Sequence, residues 1–232
     1  MTDQTVVDEA EVKATDPELQ IRAAVVMLRV GGIVCFPTDT LFALGADAFN
    51  AEAVERVYRA KGRDHGQGLP VLLSDAEQLN KVAIDLPDSA WKLANRYWPG
   101  ALTMVVKRSP DLPDIVSGGA TTVAVRVPDH PIARDLIREF GRPVIGTSAN
   151  RSGSSDARSL DDVLEELGPW LDYAVGEGTL PAGQPSTIVD LTTSRPQVLR
   201  EGAIPSDEVI AAIADSDSNE GQNPRGRRTR VS

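Results

Sequence analysis

Short apolar runs alternating with amphipathic stretches constrain this 232-residue chain more than any other feature. "IVCF", "TMVV", "TVAV", "PVIG" and "TIVD" are strand-sized and bounded by Gly, Pro or polar residues. Helical stretches lie between them. Residues 17–30 carry Leu19, Ala23, Val26, Met27 and Val30 at helical spacing, with Pro17 at the start and Gly31-Gly32 at the end. "NAEAVERVYRAKGR" opens on Asn50 as N-cap and turns Ala53, Val54, Val57 and Tyr58 inward. Further helices are expected in "SDAEQLNKVA", "PDSAWKLANRYWPGALT" (stopped at Pro99-Gly100), "HPIARDLIREFG", "SLDDVLEELG" (capped by Ser159 or Asp161) and "SDEVIAAIA". "LPVLLS", "LTMVVKR", "TTVAVRVP", "STIVDLT" and "QVLREG" read as strands. Strands alternating with helices define an α/β fold, and closely spaced strand pairs should run antiparallel, giving a mixed sheet.

The sequence has no internal repeat and no evident linker, so residues 17–214 are expected to form one domain. The acidic start (residues 1–16) and the segment 215–232 lack apolar periodicity and are expected to be disordered. Residues 1–18 hold six acids and one lysine, whereas "RGRRTR" at 225–230 holds four arginines. A net charge of −10 argues against the whole body cradling nucleic acid, although the arginine cluster could make a weak RNA contact or serve as a solvated tail. The apolar runs are far too short to span a membrane, and the N-terminus lacks a signal-peptide layout. The lone cysteine, Cys35, falls in an expected core strand as a small hydrophobe. With two histidines besides, a His/Cys metal site is not expected. These features describe a cytoplasmic protein without a membrane partner.

In α/β sheets, ligands sit where strands end and helices begin. Five such places here are polar: "PTDT" at 37–40, "KGRDHGQG" at 61–68, "TSANRSG" at 147–153, "QPSTIVD" at 184–190 followed by Arg200, and Arg126 ending "TVAVR". Each alone has a plain structural explanation as a cap, a turn or a dipole partner. His130 in "PDHP" reads as a cap. Together, Lys61, Arg63, Arg126 and Arg200 with hydroxyl-rich turns would form a pocket for an anion in an acidic protein. No Walker A, G-x-G-x-x-G or G-x-S-x-G motif is present.

"PTDTLFALGADAFN", "AKGRDHGQGLPVLL", "WPGALTMVV", "TVAVRVPDHPIARDLI", "PVIGTSANRSG" and "STIVDLT…VLREGAI" occur in the order and spacing of one family. From about residue 17 to 213 the chain resembles the YrdC-like threonylcarbamoyl-AMP synthases, in their short form without an added C-terminal domain. The resemblance implies a twisted mixed parallel/antiparallel sheet, flanked by helices around a concave positive cleft. It implies a nucleotidyltransferase that makes threonylcarbamoyl-adenylate and pyrophosphate from L-threonine, bicarbonate and ATP, with Mg2+ accompanying ATP. Partner proteins would then pass the threonylcarbamoyl group to the tRNA adenosine beside the anticodon.

By the same resemblance, Thr40, Arg126 and Ser186 would hold threonine. Lys61, Arg63, Gln67, Thr122, Ser148, Asn150 and Arg200 would surround ATP, with Lys61 and Arg63 as catalytic cations. Asp39 would orient its turn or meet the substrate ammonium. No residue is expected to ligate a metal directly. Several positions depart from the family pattern. Phe42 and Ala43 stand for Tyr-Gly, which should tighten or dry that wall. Asp64 and Gly68 replace prolines, which should loosen the loop after Lys-x-Arg. Leu72 replaces a histidine that some members place near threonine, and Asp156 puts an acid where phosphate would pass. Two alternatives follow: a divergent paralogue binding or hydrolysing a related carbamoyl nucleotide, and a non-enzymatic RNA-binding module. Three Trp, three Tyr and four Phe offer little for stacking on RNA.

Overall fold

The computed structural model describes residues 16–180 and 184–214. The acidic start up to residue 15 and the arginine cluster lie outside the described residues. In chain order the elements are α1 Pro17–Arg29, β1 Val34–Pro37, β2 Phe42–Asp47, α2 Ala51–Lys61, β3 Val71–Leu72, α3 Leu79–Val82, α4 Asp88–Tyr97, β4 Leu102–Lys107 and β5 Thr122–Arg126. They continue with α5 Pro131–Phe140, β6 Val144–Ser148, α6 Leu160–Leu167, β7 Tyr173–Ala174, β8 Thr187–Asp190, β9 Gln197–Arg200 and α7 Ser206–Ala214.

The strands form one nine-stranded sheet in the order β7-β1-β2-β6-β3-β5-β4-β8-β9. Parallel pairs (β1·β7, β3·β5, β4·β8) mix with antiparallel ones (β1·β2, β2·β6, β3·β6, β4·β5, β8·β9), which bears out the mixed α/β expectation. The local signals act as read. Asn50 Oδ1 accepts from the amides of Glu52 and Ala53, and α2 buries Ala53, Val54, Val57 and Tyr58. Ser159 caps α6 in a reciprocal box with Asp162. α4 ends before Pro99-Gly100.

Other expectations need correction. α1 buries Ile21, Ala24, Val25 and Leu28, the stripe adjoining the one read from the sequence; Leu19, Val26 and Val30 face solvent. Both stripes are apolar, and only packing chooses between them. "SDAEQLNKVA" is a 3-10 turn followed by the single turn α3, and "LPVLLS" contributes only two strand residues. His130 stands at the α5 N-cap, but its side chain makes no capping bond.

Register assigns the faces. Leu72 sits beside Arg126 and Val144, Val105 opposite Ala124, and Thr103 beside Ile188. Because side chains alternate along a strand, Ala43, Leu72, Val105, Ala124, Arg126, Val144 and Gly146 share one face. At the β7-β1-β2-β6 end, α1 and α5 cover that face, with Ile21, Leu28, Ile137 and Phe140 packed on Val34, Phe36 and Val144. Burying each of these large side chains contributes roughly 1.5–3 kcal/mol. The opposite face, including Leu44, Val71, Met104, Val125 and Ile145, belongs to the larger core under α2 and α4. A cleft opens where the first face continues beyond α1 and α5.

Candidate active site

A cleft of about 530 Å³ lies over β3, β5, β4 and β8. That is within the roughly 300–1,000 Å³ typical of small-molecule sites. Its walls bring together Thr40, Arg63, Arg126, Ser148, Ser186 and Arg200, six of the residues singled out in the sequence. Three arginines face one acid, Asp156, so the site favours anions in an acidic protein.

The "PTDT" tip is a turn built by its own hydroxyls. Thr38 Oγ1 donates to the carbonyl of Leu41 at 2.6 Å and accepts from the amides of Thr40 and Leu41 at 3.2 Å. It also lies 3.1 Å from Thr40 Oγ1. This local bonding points Thr40 across the cleft edge, where its hydroxyl accepts from Arg126 Nη1 at 3.0 Å. Arg126 ends β5 almost buried, at 7% exposure. Its Nε donates to the carbonyl of Gly100 at 2.9 Å and its Nη2 to Asp39 Oδ2 at 2.5 Å. Burial pulls the guanidinium pKa down, Asp39 raises it, and Arg200 adds a further downward pull, so the two arginines sense each other across the site.

Ser186, just before β8, lies 2.8 Å from Thr103 Oγ1 through its hydroxyl. Arg200 Nη2 donates to the Ser186 carbonyl at 2.8 Å and to its hydroxyl at 3.3 Å. This approach requires Gly202, because a Cβ there would lie 2.1 Å from the Pro185 carbonyl oxygen. Thr103 lines the cleft and escaped the sequence reading; its signal was alternation along "LTMVV", which puts it on the face of Val105.

On the other side, Gly62 closes α2 in the left-handed region at φ 58°. Arg63 then folds back, donating to the carbonyls of Gln67 and Gly68 at 3.0 Å each. Tyr58 Oη adds a bond to the Gln67 carbonyl, and the Asp64 carboxylate accepts from the Gly66 amide at 2.7 Å. His65 stacks on Tyr58 and pairs with Glu55. The loop expected to be loose without its prolines is therefore tied by side chains.

Lys61 and Asn150 lie behind the cleft wall, buried, rather than among its lining residues. Lys61 Nζ donates to the carbonyls of Ser148 and Asn150, both at 2.6 Å. Asn150 Nδ2 donates to the carbonyls of Ser154 and Ser155. Burial lowers the Lys61 pKa to about 8. The Gln67 side chain is exposed and stands off the lining, as does half-buried Thr122, which starts β5 on the same face as Ala124 and Arg126.

Of the departures, Leu72 lies over Gly146 and lines the cleft floor beside Arg126. The Phe42 ring is buried in the larger core, and Ala43 packs into the smaller one while touching the cleft. Asp156 is exposed on the wall, close enough to Lys61 to raise its pKa. Cys35 is sealed in the core, its thiol pushed up to about 12, which suits a small hydrophobe. Among the described residues no three His, Cys, Asp or Glu side chains gather as a metal site. No described helix is long and apolar enough to cross a membrane.

The fold and site thus define an α/β protein with a basic, hydroxyl-lined cleft on an exposed sheet face. The Sua5/YciO/YrdC family model, described as telomere recombination, matches residues 26–202, and the chain belongs to that family. The threonylcarbamoyl-AMP synthase of Pyrococcus abyssi is 39% identical over 198 residues, covering 85% of this chain and 58% of that protein. Its Bacillus subtilis counterpart is also 39% identical, and the chain again spans 58% of its length. The threonylcarbamoyl-AMP synthase of Marinobacter nauticus is 33% identical over 178 residues, covering 76% of this chain and 94% of that one. Among solved structures, P. abyssi Sua5 complexed with L-threonine superposes with a TM-score of 0.81 at 39% identity, over 84% of this chain and 58% of that one. E. coli YciO superposes at 0.73 with 28% identity, over 82% and 91%.

Proposed function

We propose that this protein is an L-threonylcarbamoyladenylate synthase, a nucleotidyltransferase acting on L-threonine, bicarbonate and ATP. The observation that carries the reading is a single cleft with two cationic halves. Arg126 and Thr40 occupy one half, with Ser186 and Thr103 beside them, and Arg63 and Ser148 the other, with Arg200 within electrostatic reach of Arg126. A chain this similar to proteins of that name, and to a structure complexed with L-threonine, supports it.

The threonine carboxylate would pair with Arg126, whose planar fork suits two oxygens. Its amine takes up carbon dioxide derived from bicarbonate and loses a proton, and an oxygen of the resulting N-carboxylate attacks the α-phosphorus of ATP. The bond to the β-phosphate oxygen breaks, and pyrophosphate departs. Two anions must meet, so fixed cations and positioning supply the catalysis; orientation alone is worth up to about 7–11 kcal/mol. Arg63, Ser148 and Arg200 are assigned to the triphosphate. Lys61 and Asn150 act through the Ser148–Ser155 turn they tie, while Gln67 and Thr122 stand at the periphery.

Mg2+ is assigned as part of the nucleotide substrate, held by phosphate oxygens. The product would go to partner proteins that modify the tRNA adenosine beside the anticodon, in the cytoplasm. The reading is tested by incubating the protein with radiolabelled bicarbonate, L-threonine and Mg·ATP. The label is expected in a threonine-containing adenylate. The departures at Phe42, Ala43, Asp64 and Asp156 favour the divergent-paralogue reading, which predicts no labelled adenylate from L-threonine.

A further inference from the structure

We propose that Asp39 is a positioning residue for the amino-acid carboxylate, acting through Arg126 without touching the substrate. This rests on the threonine-site reading above. Asp39 is not among the residues that line the cleft, whereas its neighbours Thr38 and Thr40 are. Both its oxygens are engaged on the far side. Oδ2 accepts from Arg126 Nη2 at 2.5 Å, and Oδ1 accepts from the amide of Asp129 at 3.0 Å. The Arg126 side chain is 8% exposed and that of Asp39 is 19% exposed, so solvent does little to weaken the pair.

A guanidinium has five N–H donors. Gly100, Thr40 and Asp39 take one each from Nε, Nη1 and Nη2. One N–H then remains on each terminal nitrogen, and the cleft-lining Arg126 can offer them to a carboxylate. These three bonds hold the plane, and Asp39 is the one charged group among the three acceptors, with Asp129 adding an electrostatic pull from beyond it. Asp39 also ties this plane to the loop that leads into α5 through Asp129. Asp39 therefore sets orientation at the cost of part of Arg126's charge. Those two effects have opposite signs for a bound anion, which makes the proposal decidable.

The experiment uses full-length protein and direct calorimetric titration with three probes: L-threonine, 3-hydroxybutyrate (threonine without its amine) and a non-hydrolysable ATP analogue. Asp39→Asn is expected to weaken L-threonine and 3-hydroxybutyrate by the same factor, about tenfold, as befits one charge-assisted bond. Asp39→Ala should weaken both further. ATP-analogue binding should stay unchanged in both variants, which also reports that the fold is intact. In turnover, KM for threonine should rise with kcat nearly constant. Unchanged or tighter threonine binding in Asp39→Asn would overturn the proposal, since charge alone would then dominate. Loss for L-threonine with 3-hydroxybutyrate unaffected would also overturn it and make Asp39 a ligand of the ammonium. Absence of threonine binding by the unaltered protein would overturn the underlying reading and this proposal with it.

Discussion

Gly146→Ala should drive Leu72 out of the cleft floor, and the cost follows from the geometry. A Cβ at position 146 would lie 2.2 Å from Leu72 Cδ1 and 2.4 Å from Cγ, where contacts between carbons settle at about 3.5–4.0 Å. Gly146 is in the middle of β6, paired to both β2 and β3, so the backbone has little room to retreat. Leu72 is 5% exposed and must swing toward the open cleft. Exposing its side chain forfeits roughly 1.5–3 kcal/mol. For a chain of this size that lowers the melting temperature by roughly 3–12 °C. Leu72→Ala alone should cost about 2 kcal/mol, the low end for such truncations because the vacated space adjoins the cleft. In the double variant the new methyl enters the space Leu72 leaves. Its loss should fall short of the sum of the two singles by about 1 kcal/mol or more. Urea titrations of the four proteins, read at the midpoints, give the cycle. Threonine affinity should fall in Gly146→Ala, because Leu72 then crowds Arg126, and recover in the double variant. Additivity within about 0.5 kcal/mol would refute the claim that these residues share the floor of the site.

Three more predictions concern charge and hydroxyls. Lys61 serves its turn as the ammonium, so with a pKa lowered to about 8 it is mostly protonated well below that value and loses a donor as pH rises through it. The rate with ATP limiting should fall as pH rises through about 8, and Lys61→Arg should move that falling limb to higher pH; a profile identical in both proteins would contradict the assignment. Asp156→Asn removes the acid from the cleft wall and should lower the KM for ATP a few-fold, an effect shrinking with salt; a raised KM would instead show that the carboxylate helps hold Mg·ATP. Thr103→Val removes the nearer of two partners of the Ser186 hydroxyl while keeping the side chain's shape. It should cost about 1 kcal/mol in stability and raise the KM for L-threonine more than that for ATP, whereas Thr103→Ser should restore both.

The α/β class was legible because each apolar run has its own Gly, Pro or cap boundary. Asn50, Ser159 and Pro99-Gly100 each act locally, and the structure uses them as the sequence suggests. β2 was not legible as a strand. All six of its residues, Phe-Ala-Leu-Gly-Ala-Asp, are buried, so no alternation marks it. β7 is two residues long, too short for any periodicity. The buried stripe of α1 was missed because Val26 and Val30 are as apolar as Val25 and Leu28, and only docking on Phe36 and Val144 separates them.

Within the site, residues reaching the cleft from strand ends and turns were found from their polarity. What stayed hidden was how each polar group is used. Lys61 and Arg63 look equivalent in "KGR", yet one is buried against Ser148 and Asn150 while the other faces the cleft. Thr103 is an ordinary strand threonine until the fold sets it in the cleft against the Ser186 hydroxyl. Asp39 could have met a ligand or a side chain, and it is Arg126, distant in sequence, that takes it.

The central claim is that one cleft joins threonine, bicarbonate and ATP, and pyrophosphate release tests it most directly. Release should require both L-threonine and bicarbonate alongside Mg·ATP, and should fall sharply in Arg63→Ala while that variant still binds L-threonine. Well-folded protein that releases no pyrophosphate in response to threonine would contradict the account.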